Sequence, residues 1–503
     1  MKKKIVIKWI AIGFIIVGVG LSFINFLSFR SLWLDEAMLA LNIVNKSTLD
    51  LLKPLDYHQV APIGFLMIEK FFVFLFGNFD WALRIFPLIS FFTGIFLIYL
   101  TTYKILKSKL VGLYTAAFFA TSFMMLSYST EVKQYIVDIV IGLVILLTTI
   151  KFNENGFKNY RREYAIVGLL SIWFSNVAIL LLFSSGIYSI CKIDYSNKKN
   201  ILCLFIVLGL WFFSFLTYYV LFIHNHPTRD FMVNYWENIG AFIPQNILSI
   251  EFYKSLIFRI SEYFRLLGPK KLVFLLSPIC ILGVLFLFKK KKGVLFLLTF
   301  PLLLHLILSY LKMYPFSHRL ILYLYPSLLI VIFSGFYFLC SLFSENLQKL
   351  LYTTLPLLLA VNSFISFRIG IPVEKEEIKK SMTIMSSKLV KGDNIYVYYA
   401  ARHAFNFYKE QFNLKIDSAD IVLSTKNSNN LINYREPILK LNNSVWLLFS
   451  RSGNKNENNI TEEEYILNIF RNEGYQILDE HKYKGSSVYH AIRKMPTPNK
   501  VYK

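Results

Sequence analysis

Two adjacent carboxylates open the most chemically suggestive stretch of this 503-residue chain, Arg30-Ser-Leu-Trp33-Leu-Asp35-Glu36-Ala37. An acid just past an apolar run suits a general base, which must come within hydrogen-bonding distance of an acceptor hydroxyl. On a helix the two side chains point about 100° apart, so one can serve a substrate while the other holds Arg30 or braces the loop. The pair also suits a solvated helix start beside an interfacial Trp.

Further along, Asp56-Tyr57-His58-Gln59-Val-Ala-Pro62 offers a histidine that can bind sugar or phosphate, or ligate a metal. Arg84 heads an apolar run, where a long cation either snorkels to the headgroups or binds a ligand. In Tyr128-Ser-Thr-Glu131-Val-Lys133-Gln-Tyr135-Ile-Val-Asp138, the acids and Tyr135 fall at i, i+4 and i+7. That spacing predicts one shared helix face, with Lys133 on the opposite side. Tyr314-Pro-Phe-Ser-His318-Arg319 puts a cation at the head of another run, suited to clamping a lipid phosphate or to anchoring at the interface. His224-x-His226 lacks a clear third metal ligand. Ionisable residues are scarce at the centres of the runs, with Asp138 and His305 the main exceptions. That distribution favours chemistry at the outer interface over passage through the middle.

The elements that must position these groups are membrane helices. Hydrophobic residues make up 55% of the chain and charged ones 17%, and runs of eighteen or more apolar residues recur. This excludes a secreted disulfide scaffold, a disordered chain and an ordinary cytosolic enzyme. The net charge of +23 sits in clusters between the runs. It therefore reads as topology signal and anionic-lipid contact, with no nucleic-acid partner. The four cysteines fall in or beside apolar runs and show no metal-ligand spacing.

Spans are expected at Trp9 to Ser28 and at about 84–103, 110–127, 132–150, 201–223, 272–288, 293–310, 319–343 and 350–368. All the basic clusters share one side only if 164–190 crosses twice, turning near Ser175-Asn176. The result is a polytopic α-helical protein of about eleven transmembrane helices. Its amino end is expected to be cytoplasmic, and its loops 29–83 and 224–271 to face outward from the cytoplasmic membrane. Residues 1–372 form this module, and 373–503 read as a small extracytoplasmic α/β domain. Within that domain, helical spacing of Ile378, Met382, Met385 and Leu389 precedes strand-like runs at Ile395–Tyr399, Ile421–Ser424 and Val445–Phe449, with helices near Arg402–Phe412 and Thr461–Arg471.

The motifs in this order resemble the membrane glycosyltransferases of the GT-C fold, specifically the protein mannosyltransferase/aminoarabinose transferase-like group, glycosyltransferase family 39. The matching pieces are Leu32-Trp-Leu-Asp35-Glu36-Ala37, His58-Gln-Val-Ala-Pro62, Phe76-Gly77 through Ala82-Leu-Arg84, Glu131-Val-Lys133-Gln-Tyr135 and Phe316-Ser-His318-Arg319 with Pro326. Two departures remove candidate ligands. Val-Ala-Pro62-Ile replaces the family's Lys-Pro-Pro or Ala-Pro-Pro, and Asn176-Val177 replaces a frequent His-Pro. The resemblance implies Asp35 as the catalytic carboxylate, aided by Glu36. It implies inverting transfer of a hexosyl or pentosyl unit from a polyprenyl-phosphate sugar donor to a hydroxyl of a glycan, lipid or protein acceptor. His58, Arg84, Glu131, Lys133, Tyr135, His318 and Arg319 are then the expected substrate-binding residues. A divalent metal is compatible with this chemistry without being demanded by it. The competing reading is a lipid-linked saccharide flippase or other envelope-polysaccharide transporter, which predicts mid-span ionisable residues and inverted repeats.

Overall fold

The computed structural model describes residues 2–155, 157–224, 226–414, 416–424, 432–453 and 460–494. The stretches 425–431, 454–459 and 495–503 of the expected terminal domain thus lie outside the described residues. The chain opens with α1 (Lys2–Leu27), α2 (Leu34–Asn45), α3 (Ile63–Phe76), α4 (Ile85–Leu106), α5 (Lys109–Thr121) and α6 (Phe123–Tyr128). Next come α7 (Tyr135–Asn155), α8 (Phe157–Phe174), α9 (Ala178–Lys192), α10 (Lys198–Phe222), α11 (Arg229–Asn238) and α12 (Ile250–Arg265). The helical series then runs through α13 (Lys270–Lys290), α14 (Lys292–Tyr310), α15 (Tyr325–Ser341) and α16 (Glu345–Ile369).

Two compact units result. The first comprises Met1–Leu27 with Lys46–Ile371, and the second Ser28–Asn45 with Pro372–Lys503. The segment carrying Asp35 and Glu36 therefore packs with the terminal sheet, whereas hydropathy groups it with the membrane helices.

In the first unit, α1, α7, α10, α13, α14, Ala82–Leu106 and Leu322–Ser341 are long and apolar enough to cross a bilayer. Lys109–Thr121, Ala178–Lys192 and Pro356–Ser366 are shorter apolar helices. The stretch 164–190 is two helices, α8 and α9, joined through Ser175, Asn176 and Val177. Polar side chains tie these helices to their neighbour. The buried Tyr164 hydroxyl lies 2.7 Å from Ser185 Oγ and 2.9 Å from Ser189 Oγ, and Thr149 Oγ1 lies 2.6 Å from Ser185 Oγ. In an apolar surround such bonds add to packing, because their alternative is an unsatisfied group.

α13 and α15 approach more closely than ordinary side chains permit. A Cβ placed on Gly335 would sit 1.9 Å from the Ile279 carbonyl oxygen, and one on Gly283 would sit 1.9 Å from that of Val331. Small residues at such crossings let backbones meet, which drives helix association in lipid.

α5 stops at Thr121, where Ser122 turns to extended backbone before α6. The carbonyls released there are bonded from α16. Asn362 Nδ2 donates to Phe118 O at 3.2 Å and to Thr121 Oγ1 at 2.9 Å, and Ser366 Oγ donates to Thr121 O at 2.7 Å.

The second unit adds α17 (Ile378–Lys388), β1 (Asn394–Val397), α18 (Arg402–Tyr408), β2 (Ile421–Leu423), α19 (Ile432–Leu439), β3 (Ser444–Ser450), α20 (Glu462–Asn472), β4 (Tyr475–Tyr483) and β5 (Ser486–Arg493). Its five-stranded sheet has the order β2-β1-β3-β5-β4. β1 pairs parallel with β2 and β3, while β5 is antiparallel to β3 and β4. The hairpin β4–β5 is an addition to the strands expected from sequence. Alternation is visible in β4, but polar Asp479-Glu-His-Lys482 keeps its hydropathy low.

One sheet face packs Val445, Leu447, Phe449 and Tyr489 against Ile466 and Phe470 of α20. Ser486 lies on the other face by alternation, and there Ser381 Oγ of α17 meets Ser486 Oγ at 2.7 Å. With both faces covered, β3 is buried from Val445 to Ser450.

Gly335→Ala should force α13 and α15 apart and lower stability by about 1–3 kcal/mol, the range for an overpacked contact. Gly13→Ala, whose Cβ would meet nothing within 4 Å, should be neutral or mildly stabilising; thermal unfolding in detergent compares the two.

Candidate active site

Within the second unit, the acidic pair occupies the first turn of α2. Glu36 is fully buried and accepts from Arg30 Nη1 at 3.4 Å and from the Trp33 backbone N–H at 3.4 Å. The second bond is the reach-back of a capping box, in which the third helical residue satisfies the N–H of the cap. Of the two acids, then, Glu36 holds Arg30 and closes the helix end. Asp35 stands beside it, partly exposed.

The approach to α2 is fixed by later parts of the chain. Tyr408 Oη accepts from the Leu32 N–H at 2.8 Å, and Glu376 Oε2 accepts from the Leu34 N–H at 3.1 Å. Trp33 lies under two cations, with Lys375 Nζ 4.2 Å and Arg451 Cζ 5.7 Å from its ring centroid. Burial pushes the Glu376 carboxyl above the ordinary range, and neighbouring Glu36 adds to the push.

In the first unit, Lys133 is buried and donates to Gln59 Oε1 at 2.7 Å. Gln59 follows His58, so this bond ties the His58 segment to the turn before α7. Tyr57 and His58 both have positive φ, 61° and 54°. The exposed His58 ring stacks on Phe231 with centroids 3.8 Å apart, while Lys46 and Asp56 pair at 3.1 Å.

Glu131 departs from its expected place. α7 begins only at Tyr135, so Glu131 lies in the turn after α6, and the predicted stripe reduces to Tyr135 and Asp138. The turn is pinned from α1, where Asn25 Nδ2 donates to Thr130 Oγ1 at 2.7 Å and Ser22 Oγ donates to Ser129 Oγ at 2.9 Å. These bonds hold residues 129–130 out of helical register and leave Glu131 buried in the turn. Tyr135 meets Tyr128 edge to face at 5.4 Å.

Arg84 ends a short 3-10 helix, Ala82–Arg84, and is buried beside Asp80 at 3.9 Å. Its guanidinium is thus inside protein, where a snorkelling anchor would reach into the headgroups.

His318 and Arg319 lie on the turn before α15, and a buried ionic cluster holds that turn. Arg259 Nη1 donates to Glu262 Oε2 at 2.5 Å and to Phe316 O at 3.0 Å, and Arg259 Nη2 donates to Gly240 O. His318 Nδ1 pairs with Glu262 Oε1 at 3.2 Å, and the Arg319 guanidinium lies 5.7 Å from the Trp236 ring centroid. Arg259 and Glu262, a buried i,i+3 pair of opposite charge on α12, were visible in the sequence only as spacing. Burial pushes the Glu262 carboxyl up, but the His318 ring and the Arg259 guanidinium outweigh it and hold the group below its ordinary value of 4.5.

His305, one of the two mid-run ionisable residues, braces the same turn. Its Nε2 lies 3.1 Å from the Pro315 carbonyl, which can only accept, so Nδ1 accepts from the Tyr323 hydroxyl at 3.1 Å. Among the described residues no group of three or more His, Cys, Asp or Glu side chains is arranged to hold a metal ion.

The layout of helices, loop helices and terminal sheet has a counterpart among solved structures. ArnT from Cupriavidus metallidurans bound to undecaprenyl phosphate superposes with a TM-score of 0.53 over 95% of this chain and 97% of that one. This chain has a GT-C-like fold. Sequence identity to that ArnT is 11%, and the apo state of the same protein gives a TM-score of 0.52 at 9% identity, covering 95% of this chain and 98% of that one. No family model matches the sequence, and no curated protein does. The GT-C-like likeness is therefore one of architecture, with little sequence in common.

The depressed Glu262 carboxyl predicts that this turn of the GT-C-like fold loosens in acid. A depressed carboxyl stabilises the folded state above 4.5 and loses that contribution as pH falls through its lower folded value. Amide protection across 311–321, each rate referred to the intrinsic rate of an unstructured peptide at the same pH, should fall below pH 4.5, and Glu262→Gln should remove most of that fall.

Proposed function

We propose that this protein is a membrane glycosyltransferase that moves a sugar from a polyprenyl-phosphate-linked donor to an acceptor hydroxyl at the extracytoplasmic face. The observation that carries this reading is the near full-length GT-C-like architecture shared with a protein solved with undecaprenyl phosphate bound. In this reading the acceptor is a glycan, lipid or protein, and the amino end is cytoplasmic.

Asp35 is the general base. Its carboxylate takes the proton of the acceptor hydroxyl as the oxygen attacks the anomeric carbon. The bond from that carbon to the phosphate oxygen breaks, and the lipid phosphate leaves with the electron pair, inverting the configuration. Lys133, Arg84 and Arg319 supply positive charge for the leaving phosphate, and a buried cation counts for more here than an exposed one. His58, Tyr135, Glu131 and His318 contact the sugar or orient the cations. Glu36 acts on Asp35 through the helix end that it caps and through Arg30.

Asp35→Asn should keep insertion and thermal stability but reduce transfer from a radiolabelled polyprenyl-phosphate sugar by about 10²–10⁴-fold, the usual contribution of a general base. Wild-type transfer by this variant would remove Asp35 from that role. Covalent sugar on an acceptor supports the transferase, whereas labelled lipid that merely crosses a vesicle membrane unchanged would favour a flippase. For orientation, a reporter active only outside the cytoplasm should be active when fused after Lys503, and silence there combined with activity of a cytoplasmic reporter would overturn the outward placement.

A further inference from the structure

A cavity of about 290 Å³ opens in the first unit where the α5–α6 break, the α12–α13 junction and α16 meet. Its apolar wall is formed by Phe123, Met124, Leu266, Leu267 and Ile365. Asn362 and Ser366 also line it, but their donors are committed to Phe118 O, Thr121 Oγ1 and Thr121 O. Such a wall suits a hydrocarbon chain better than a sugar or a water cluster, which needs several polar partners. The volume lies at the small end of ligand pockets, at roughly 300 Å³, enough for a segment of chain.

The rim has a different character. Arg265 lines the cavity and is exposed. Exposed Lys270 and Lys271 open α13 beside it, and exposed Arg368 lies in the last turn of α16. Among the described residues none of these four cations is in an ion pair. An apolar slot lined by one exposed, unpaired cation, with three more one or two positions along the chain from lining residues Pro269 and Ser366, complements an anionic amphiphile.

We propose that this cavity is a binding site for an anionic glycerophospholipid of the surrounding leaflet, with part of one acyl chain in the slot and the phosphate on Arg265. The bulk phospholipid is favoured over the polyprenyl-phosphate donor because none of the cations assigned to the donor phosphate lines this cavity. The cavity and its lining stand apart from the transferase reading, but the preference for phospholipid over the donor rests on it.

The test uses full-length protein in nanodiscs containing trace phosphatidylglycerol with a photoactivatable acyl terminus. Labelling should fall on peptides containing Met124 or Ile365. Arg265→Glu should cut it by about fivefold or more, since one basic residue near an anionic surface is worth about that factor. Lys289→Glu, at the opposite end of α13, should leave it unchanged, and Met124→Trp should block the slot without altering the charge. Equal labelling by a phosphatidylcholine probe in the unmutated protein would overturn the proposal without reference to any variant. Displacement by undecaprenyl phosphate but not by unlabelled phosphatidylglycerol would assign the cavity to the donor and overturn it too.

Discussion

A backbone carbonyl freed from its helix inside an apolar bundle must find a donor, because no water is there to supply one. Much of this molecule's irregular chain is arranged around that constraint. Asn362 and Ser366 answer the carbonyls released where α5 breaks. Arg259 answers those of Gly240 and Phe316, and His305 that of Pro315. The turns so secured include the one that presents His318 and Arg319. Asn25 performs the same service for the Leu126 carbonyl, and with Ser22 it also bonds the Thr130 and Ser129 hydroxyls of the turn preceding Lys133. Lys133 and Arg319, two of the cations proposed to meet the donor phosphate, thus stand on non-helical chain held by buried side-chain donors.

Charge burial follows the same logic. Arg30 with Glu36, Arg84 with Asp80 and Arg259 with Glu262 are each almost fully enclosed. Deleting one member of such a pair typically costs about 3–5 kcal/mol, because the other is left uncompensated. Loss of activity on mutating Arg84 or Glu36 would therefore need to be separated from loss of fold, which is why Asp35, partly exposed, is the cleaner probe of chemistry.

The apolar runs were legible because crossing a bilayer demands little more than length and hydropathy. The turn at Ser175–Asn176 followed from the side of the membrane that the basic clusters prefer. Glu131 was placed on a helix it precedes, since spacing at i, i+4 and i+7 is the same whether or not α1 has pulled the first residues into a turn. Gln59 as the partner of Lys133 was hidden for a related reason: a contact across 74 positions leaves no local pattern. Nor could hydropathy assign Ser28–Asn45 to the terminal sheet, because the bonds that decide it join residues several hundred positions apart.

Those bonds bear on how the protein is made. The helix bearing Asp35 emerges from the ribosome early, yet its partners Glu376 and Tyr408 lie 342 and 376 positions beyond the residues they bond. At ordinary elongation rates of about 5–20 residues per second, the segment must wait on the order of tens of seconds for them. Throughout that interval the capped turn has to survive on local bonds alone. A chain halted before Tyr408 would lack the acceptor for the Leu32 N–H, so the approach to this early helix is completed only by residues synthesised several hundred positions later.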